Sequence, residues 1–477
     1  MTSDPALTPF FRPASIAVVG AGERPTSSGG AVLRNLLRSG FAGRIVPVNP
    51  KGGPIAGLAA APSLAAVAPP CDLAVIVIRP DLIPDTVRDA AASGHRNLLI
   101  LPSGFAEAGP EGAARDAEVR AIAAEAGLTV AGPNCAGILH LDPAAPMAAS
   151  FLRDLPPGPS PATGKGLALI SQSGALAEEL IARANDRRDR GAGLPLTSVV
   201  SVGNALHLGV ADYLAALGER PEIGAILLYV EAIPDPDRFR AAARRVSAEK
   251  PVVALIGGRS GPGARAVAAH TGGTVMDDAA AEAFCRDCGI LRVTSLRRLL
   301  LAARGFGAFP RGFGPRVLIL SNSGGPGVLA TDRAAAEGLE LPTLPPAMTA
   351  RLRSALPAEA SVANPVDLLA DAREDRFGEA LVAAAEAGSA AFDAVLMIHV
   401  VPFMVDAAPV IARLAEQAPT VGLPVMHSMM GTLEDRPGWF AAMEAAGVPM
   451  FDDPESMAEC AGLLARYAAL SKAVADG

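Results

Sequence analysis

Short, nearly unbroken apolar runs recur along the chain and alternate with longer segments whose apolar residues repeat at helical spacing. The first five runs fall at 15–20, 44–48, 72–78, 97–101 and 128–131, each bounded by Gly, Pro, Asn or Ser. Runs of this length that are apolar throughout predict strands buried on both faces, and the intervening AVLRNLLRSG, which stops at Gly40, predicts a helix. Strand and helix alternate, so residues 10–145 read as a Rossmann-like parallel α/β domain. The pattern restarts twice. Runs at 167–170, 197–202, 225–230 and 251–256 predict a second α/β domain, and runs at 317–320 and 394–400 a third. The Pro/Gly-rich stretches LRDLPPGPSPATGKG (152–166) and RGFGAFPRGFGPR (304–316) read as junctions. The expected domains are therefore 1–150, 160–305 and 314–470.

Composition narrows the class. Half of the residues are hydrophobic but only 4% are aromatic, which describes a helix-rich α/β protein with a core of small aliphatic side chains. A net charge of −8 argues against a nucleic-acid partner, which needs a concentrated basic face. No apolar run reaches the roughly 18 residues of a membrane helix, and MTSDPALTPFFRP lacks a basic region followed by an apolar core. A cytoplasmic protein with no membrane contact is expected. The cysteine count is odd, so a disulfide framework is not expected. Cys285-Arg-Asp-Cys288 lies late in a helical pattern with no second pair, which favours helix packing over a metal site.

Chemistry concentrates where predicted strands end. The run 251–256 leads into Gly257-Gly258, and the stretch IGGRSGPGARAVAAHTGGTVM (256–276) is expected to be a catalytic loop centred on His270. Small neighbours would let a phosphate approach that imidazole, whose ordinary pKa suits a nucleophile, although the residues by themselves fit a plain surface-loop histidine better. The glycines between Gly20 and Gly30 depart from G-x-G-x-x-G, and no acid ends the second strand to hold a ribose hydroxyl, so NAD is disfavoured. That strand instead runs into Lys51, which suits a phosphate-rich ligand, as a solvated loop lysine also would be explained. Ser171, Ser173 and Gly174 stand at a predicted helix start that attracts anions or is simply capped by serine. Ser321, Ser323, Gly324 and Gly325 repeat the arrangement. Glu231, at the end of the 225–230 run, could hold one imidazole nitrogen and orient the other.

The segments S-I-A-V-V-G-A (15–21), V-N-P-K (48–51), S-G-F-A-E-x-G (103–109), G-P-N-C-A-G (132–137), S-Q-S-G-A-L (171–176), S-V-G-N (201–204), L-Y-V-E (228–231), H-T-G (270–272), S-N-S-G-G-P-G (321–327) and N-P-V-D-L (364–368) occur in this order. Together they resemble the NDP-forming acyl-CoA synthetases, the family of ADP-forming acetyl-CoA synthetase and succinyl-CoA synthetase. The resemblance implies a Rossmann-like CoA-binding domain followed by two flavodoxin-like domains of the succinyl-CoA synthetase type. It further implies CoA contacts at Gly20, Ala21, Ser28, Gly29, Lys51, Ile78, Pro80, Ser103, Gly104 and Asn134, and phosphate contacts at the two serine turns. His270 would carry the phosphoryl group and Glu231 would steady it. Family members often have Ser at the place of Ala269, Gly at that of Met276 and Asp at that of His207.

The implied reaction interconverts acyl-CoA, phosphate and ADP with a carboxylic acid, CoA and ATP through an acyl phosphate. The chain contains no recognisable ATP-grasp region or P-loop, so ATP/ADP and Mg²⁺ are expected on an ATP-grasp β subunit in an α2β2 assembly, with no metal held by this chain. The alternative is a non-catalytic CoA or acyl-CoA sensor, or scaffold, of the same fold.

Overall fold

The apolar runs become the strands of three main sheets. The computed structural model describes residues 7–160, 162–189, 191–271 and 276–476, apart from the side chains of 187, 189, 269–271, 475 and 476. In the first sheet β1 (Ser15–Val19) and β2 (Arg44–Val48) are followed by a small antiparallel hairpin of β3 (Pro54–Ile55) and β4 (Leu58–Ala59). β5 (Leu73–Ile76), β6 (Asn97–Ile100) and β7 (Thr129–Ala131) complete a parallel array of order β2-β1-β5-β6-β7.

β8 (Gly137–His140) and β9 (Met147–Ser150) precede the expected boundary at 150 but pair antiparallel at the edge of the second sheet. Its parallel members are β10 (Gly166–Ser171), β11 (Leu196–Ser201), β12 (Ile223–Val230), β13 (Val252–Ile256) and β14 (Leu291–Val293), in the order β14-β13-β12-β10-β11-β8-β9. The third sheet holds β15 (Val317–Ser321), β16 (Ser361–Val362), β17 (Val366–Asp367), β18 (Ala394–Val401), β19 (Val425–Gly431) and β20 (Met450–Phe451), ordered β16-β17-β15-β18-β19-β20.

Stripped of edge additions, each parallel array has its second strand outside the first and its third to fifth strands on the other side. That is the flavodoxin-like order, whose crevice opens between the carboxyl ends of the first and third strands. β10, β11 and β15 are buried at every position, which is why their sequences show no alternation.

The chain forms two compact units, 1–159 with 166–184 and 195–294, and 160–165 with 185–194 and 295–477. The first two expected domains thus share one unit. A single apolar core, running from Ile16 and Leu99 through Phe11 and Ile138 to Ile170 and Val200, explains their union. The second unit has its own core around Phe377, Met397, Leu414 and Met443.

Two expectations are corrected. Residues 256–276 are not a continuous loop: Gly261–Thr271 is a helix, entered through Pro262, with Ser260 Oγ accepting the Gly263 N–H at 3.1 Å. The alanine-rich run GARAVAAH has the propensity to continue that helix, and the glycine pairs merely flank it. The junction expected at 304–316 likewise begins as helix, because Leu296–Ala308 carries its apolar period through Phe306 and is capped by Ser295. Cys285 and Cys288 are both buried at the end of the helix Asp278–Asp287, and burial pushes their thiols up to about 12 and about 11.

His399 on β18 and His427 on β19 are fully buried with parallel rings 6.2 Å apart, and no nitrogen of either ring has a hydrogen-bond partner. Burial lowers His399 to about 4 and, aided by His399, lowers His427 well below its usual value. Both stay neutral in the fold while unfolded histidine takes up a proton near pH 6.5, so stability is lost as pH falls through that value. We expect urea unfolding to show up to about 1.4 kcal/mol of loss per pH unit for each histidine between pH 6.5 and 4. His399→Phe should flatten that slope relative to wild type, and an unchanged slope would refute this assignment.

Candidate active site

β1 ends at a point where the backbone is crowded. A Cβ built on Gly20 (φ +89°) would fall 2.2 Å from the Val77 carbonyl oxygen, and one on Gly29 would fall 2.1 Å from the Gly20 carbonyl oxygen. Only glycine at both positions lets the helix Ser28–Arg38 start directly over the strand end, with its unpaired N–H groups facing outward. Ser27, not Ser28, caps that helix by accepting the Gly30 N–H at 3.0 Å, while Ser28 is exposed. Ala21 is buried, and its carbonyl accepts from the Asn49 amide at 2.8 Å, so the Asn of V-N-P-K props up the glycine turn.

A cleft of about 720 Å³ opens at this switch point. Of the expected CoA contacts, Gly20, Ser28, Gly29, Ile78, Ser103 and Asn134 line it. Ala21, Lys51, Pro80 and Gly104 do not. Gly104 (φ +102°) and Pro80 instead pack on each other behind the wall, since a Cβ on Gly104 would meet Pro80 Cγ at 2.7 Å. Lys51 is exposed on the turn after β2. The cations that do line the cleft are Arg24 and Arg79, both exposed and both unselected from sequence because no motif marks them.

The cleft wall joins elements of the first two sheets. Gly203 sits so close to Pro133 that a Cβ would fall 2.1 Å from its carbonyl oxygen, and the Asn204 N–H donates to that same oxygen at 2.9 Å. The Asn134 side chain donates to Asn204 Oδ1 at 3.1 Å, and Asn204 in turn donates to Glu107 at 2.5 Å. Glu107 also accepts the Gly104 and Phe105 N–H groups at 2.6 and 3.1 Å. Burial works to raise its pKa, but Asn204 and these N–H groups outweigh it and hold the carboxyl below its usual value. Three motifs separated by up to about 100 residues thus form one hydrogen-bonded relay, legible in sequence as motifs but not as contacts. His207, just beyond it, is half-buried; burial and Arg120 keep its imidazole below the usual pKa.

At the switch point of the second sheet, β10 delivers Ser171 and β12 delivers Glu231. The Ser171 hydroxyl is turned inward, donating to the Ser173 carbonyl at 2.7 Å and accepting the Ser173 N–H at 3.1 Å. It shapes the turn and offers nothing to a ligand. Ser173 Oγ accepts the Leu176 N–H at 3.3 Å, and Gly174, the first residue of the helix Gly174–Asp189, lines the same cleft as Gly20. The dipole and free N–H groups of two helices are therefore directed at one space.

Glu231 is 8% exposed and accepts the Tyr229 hydroxyl at 3.0 Å. Burial, then the Glu231 charge, pushes Tyr229 up to about 12, so it donates at any physiological pH. Gly257 lies against this pair, its Cβ position 3.3 Å from Tyr229 Oη and 3.6 Å from Glu231 Cγ. The strand β13 thus leads past Glu231 into the helix carrying His270. The side chains of His270 and Ala269 fall outside the described residues, as do 272–275, while Met276 packs on the apolar core of its unit.

In the second unit, Ser321 and Ser323 make the same turn with the same 2.7 and 3.1 Å bonds. Its surroundings differ. A Cβ on Gly324 would fall 3.7 Å from Asp367 Oδ2, so a carboxylate already stands beside this helix start, whereas Gly325 has nothing within 4 Å. That charge opposes a phosphate there. Among the described residues, His140, Asp142 and Glu222 are the one group spaced to hold a cation, but Arg12 already bridges the two carboxylates at 2.5 and 2.8 Å. Burial works to raise Glu222, yet His140, a backbone N–H and Arg12 bring it down to about 2, as in an ion network.

Models of three families match consecutive stretches: a CoA binding domain over 14–141, a succinyl-CoA ligase like flavodoxin domain over 164–306 and a ligase-CoA domain over 317–438. The chain is 34% identical over 466 residues to the α subunit of ADP-forming acetate–CoA ligase II of Pyrococcus furiosus, covering 96% of this chain and 97% of that one. It is 32% identical to ADP-forming acetate–CoA ligase I of Archaeoglobus fulgidus, covering 97% of this chain but 64% of that longer protein. The fold matches the dinucleotide forming acetyl-coenzyme A synthetase 1 of Ca. Korarchaeum cryptofilum, solved with phosphate and ADP, at TM-score 0.89, 30% identity and 98% coverage of each chain. Relatives of this identity over nearly the full length make the chain a member of the NDP-forming acyl-CoA synthetases, the ligase family of the ADP-forming acetate–CoA ligases.

Proposed function

We propose that this acid–CoA ligase binds CoA in the cleft at the first switch point and passes a phosphoryl group to His270 at the second. The observation that carries the reading is the shared cleft, in which Gly20 after β1, Gly29 of the helix above it and Gly174 at the helix start after β10 line one space. The residues fit CoA: glycines admit the pyrophosphate against the backbone, the start of Ser28–Arg38 and the guanidinium groups of Arg24 and Arg79 offset its charge, and Ile78 supplies an apolar contact. With the thiol end directed at Gly174, phosphate attack on the acyl-CoA carbonyl would give the acyl phosphate and free CoA. Ser173 and Gly174 would hold that phosphate, and Ser171 would keep their turn in shape. Glu231 would accept the N–H of one His270 nitrogen, leaving the other to attack phosphorus while the carboxylate leaves. Positioning and charge stabilisation supply the catalysis.

The working regions would be 1–150, 160–305 and 314–470, the last with Ser323, Gly324 and Gly325 as a weaker anion site. Relatives named as α subunits imply a partner subunit. For this chain the partner would be an ATP-grasp β subunit supplying ATP/ADP and Mg²⁺, in an α2β2 assembly in the cytoplasm, acting on a small carboxylic acid. Among the described residues no helix is long and apolar enough to cross a membrane.

Acetyl [³²P]phosphate given to the full chain should place acid-labile, base-stable label on wild type and none on His270→Asn, and equal labelling would remove His270 as the acceptor. Calorimetry should give CoA a dissociation constant raised about tenfold or more in Arg24→Glu and Arg79→Glu, consistent with charge-assisted bonds worth about 1.5–3 kcal/mol, and a smaller rise in Lys51→Glu. NAD binding more tightly than CoA would overturn the cleft assignment. Finally, the chain alone should make no acyl-CoA from ATP, CoA and acetate, and an ATP-grasp partner should restore turnover.

A further inference from the structure

Between the two serines of the first turn stands Gln172, whose side chain reaches the strand that carries Glu231. Gln172 Oε1 accepts the Glu231 N–H at 2.5 Å and the Ala232 N–H at 3.0 Å, while its Nε2 donates to the Ala232 carbonyl at 3.0 Å. Its own N–H donates to the Tyr229 carbonyl at 3.0 Å. One side chain thus bridges the carboxyl ends of β10 and β12 where the loops diverge. The duplicate turn repeats the device: Asn322 Nδ2 donates to the Val400 carbonyl and Asn322 Oδ1 accepts the Val400 N–H, both at 2.8 Å, across β15 and β18.

The repeat isolates what is special to the first turn. Asn322 is one methylene shorter and grips a single residue. Gln172 reaches farther and fixes two successive N–H groups, the first belonging to Glu231. Fixing that backbone sets the direction in which the Glu231 side chain leaves the strand, with Tyr229 steadying the carboxylate from the other side. We propose that Gln172 is the positioning residue that couples the phosphate-holding turn Ser171–Gly174 to Glu231, so that the turn and the acid are held at one fixed separation for phosphoryl transfer. The inference rests on the assignment of His270 and Glu231 above. In the step it serves, the bond from phosphorus to the acyl oxygen breaks, the carboxylate leaves with its electrons, and a phosphorus–nitrogen bond forms on His270. A displaced Glu231 would no longer meet the imidazole N–H during that exchange.

The test uses the full chain and acetyl [³²P]phosphate. Gln172→Met keeps the length and loses the amide, Gln172→Asn keeps an amide too short to span both N–H groups, and Gln172→Glu keeps the accepting oxygen. Labelling of His270 should slow at least tenfold in the Met and Asn variants, through the maximal rate and not the half-saturating acetyl phosphate concentration. The Glu variant, which loses the Nε2 donor to the Ala232 carbonyl and adds a negative charge to the turn, should slow as well. CoA affinity and melting temperature should remain near wild type in all three. If Met fails to fold, the Asn variant decides. The proposal is overturned if Asn or Met labels at the wild-type rate, or if the loss of labelling follows a matching loss of CoA affinity. Absence of label on wild type would instead refute the His270 assignment itself, a distinguishable result.

Discussion

Where parallel strands part to opposite sides of a sheet, their carboxyl ends must be held at a fixed distance while the loops above them separate. The geometry of the candidate site depends on how that constraint is met. In the first sheet it is met by contact: Gly20 lies against the Val77 carbonyl so closely that no side chain could intervene. In the second and third it is met by a side-chain amide spanning the gap, Gln172 or Asn322. The contact solution brings a helix start directly over the strand end, and the amide solution sets a turn beside a held backbone.

The fold was legible because buried parallel strands are uniformly apolar and the chain supplies few other runs of that kind. β10, β12 and β15 lie within two residues of their expected bounds. What failed were places where glycine was read as loop. The stretch around Gly261 and Gly263 is helical because alanine and the Ser260 cap outweigh two glycines at a first turn, where their helix penalty is smallest. At the candidate site, Gly20 and Gly29 were readable because the backbone crowds both positions so closely that only glycine fits. Arg24 and Arg79 were not, since an arginine gains its meaning from what faces it across a cleft. Lys51 drew attention as a rare lysine at a strand end, and its Asn49 neighbour proved the structural member of the motif.

The two serine turns are alike in bonds and unlike in electrostatics. The first opens toward a cleft lined by Arg24 and Arg79 as well as Glu178, whereas the second has Asp367 directly beside its helix start. A helix end already neutralised by a carboxylate attracts a further anion weakly, so duplication of the turn does not duplicate its chemistry.

The hairpin of β8 and β9 lies before position 150 in the chain but completes the sheet of the following domain. A cut at the boundary that domain size suggests would therefore leave two strands with unpaired edges on one fragment and expose β11 on the other, the condition that invites aggregation. A hairpin placed in one domain by sequence and in the next by pairing ties the two into one cooperative body, so the second sheet is incomplete without the first domain's stretch of chain.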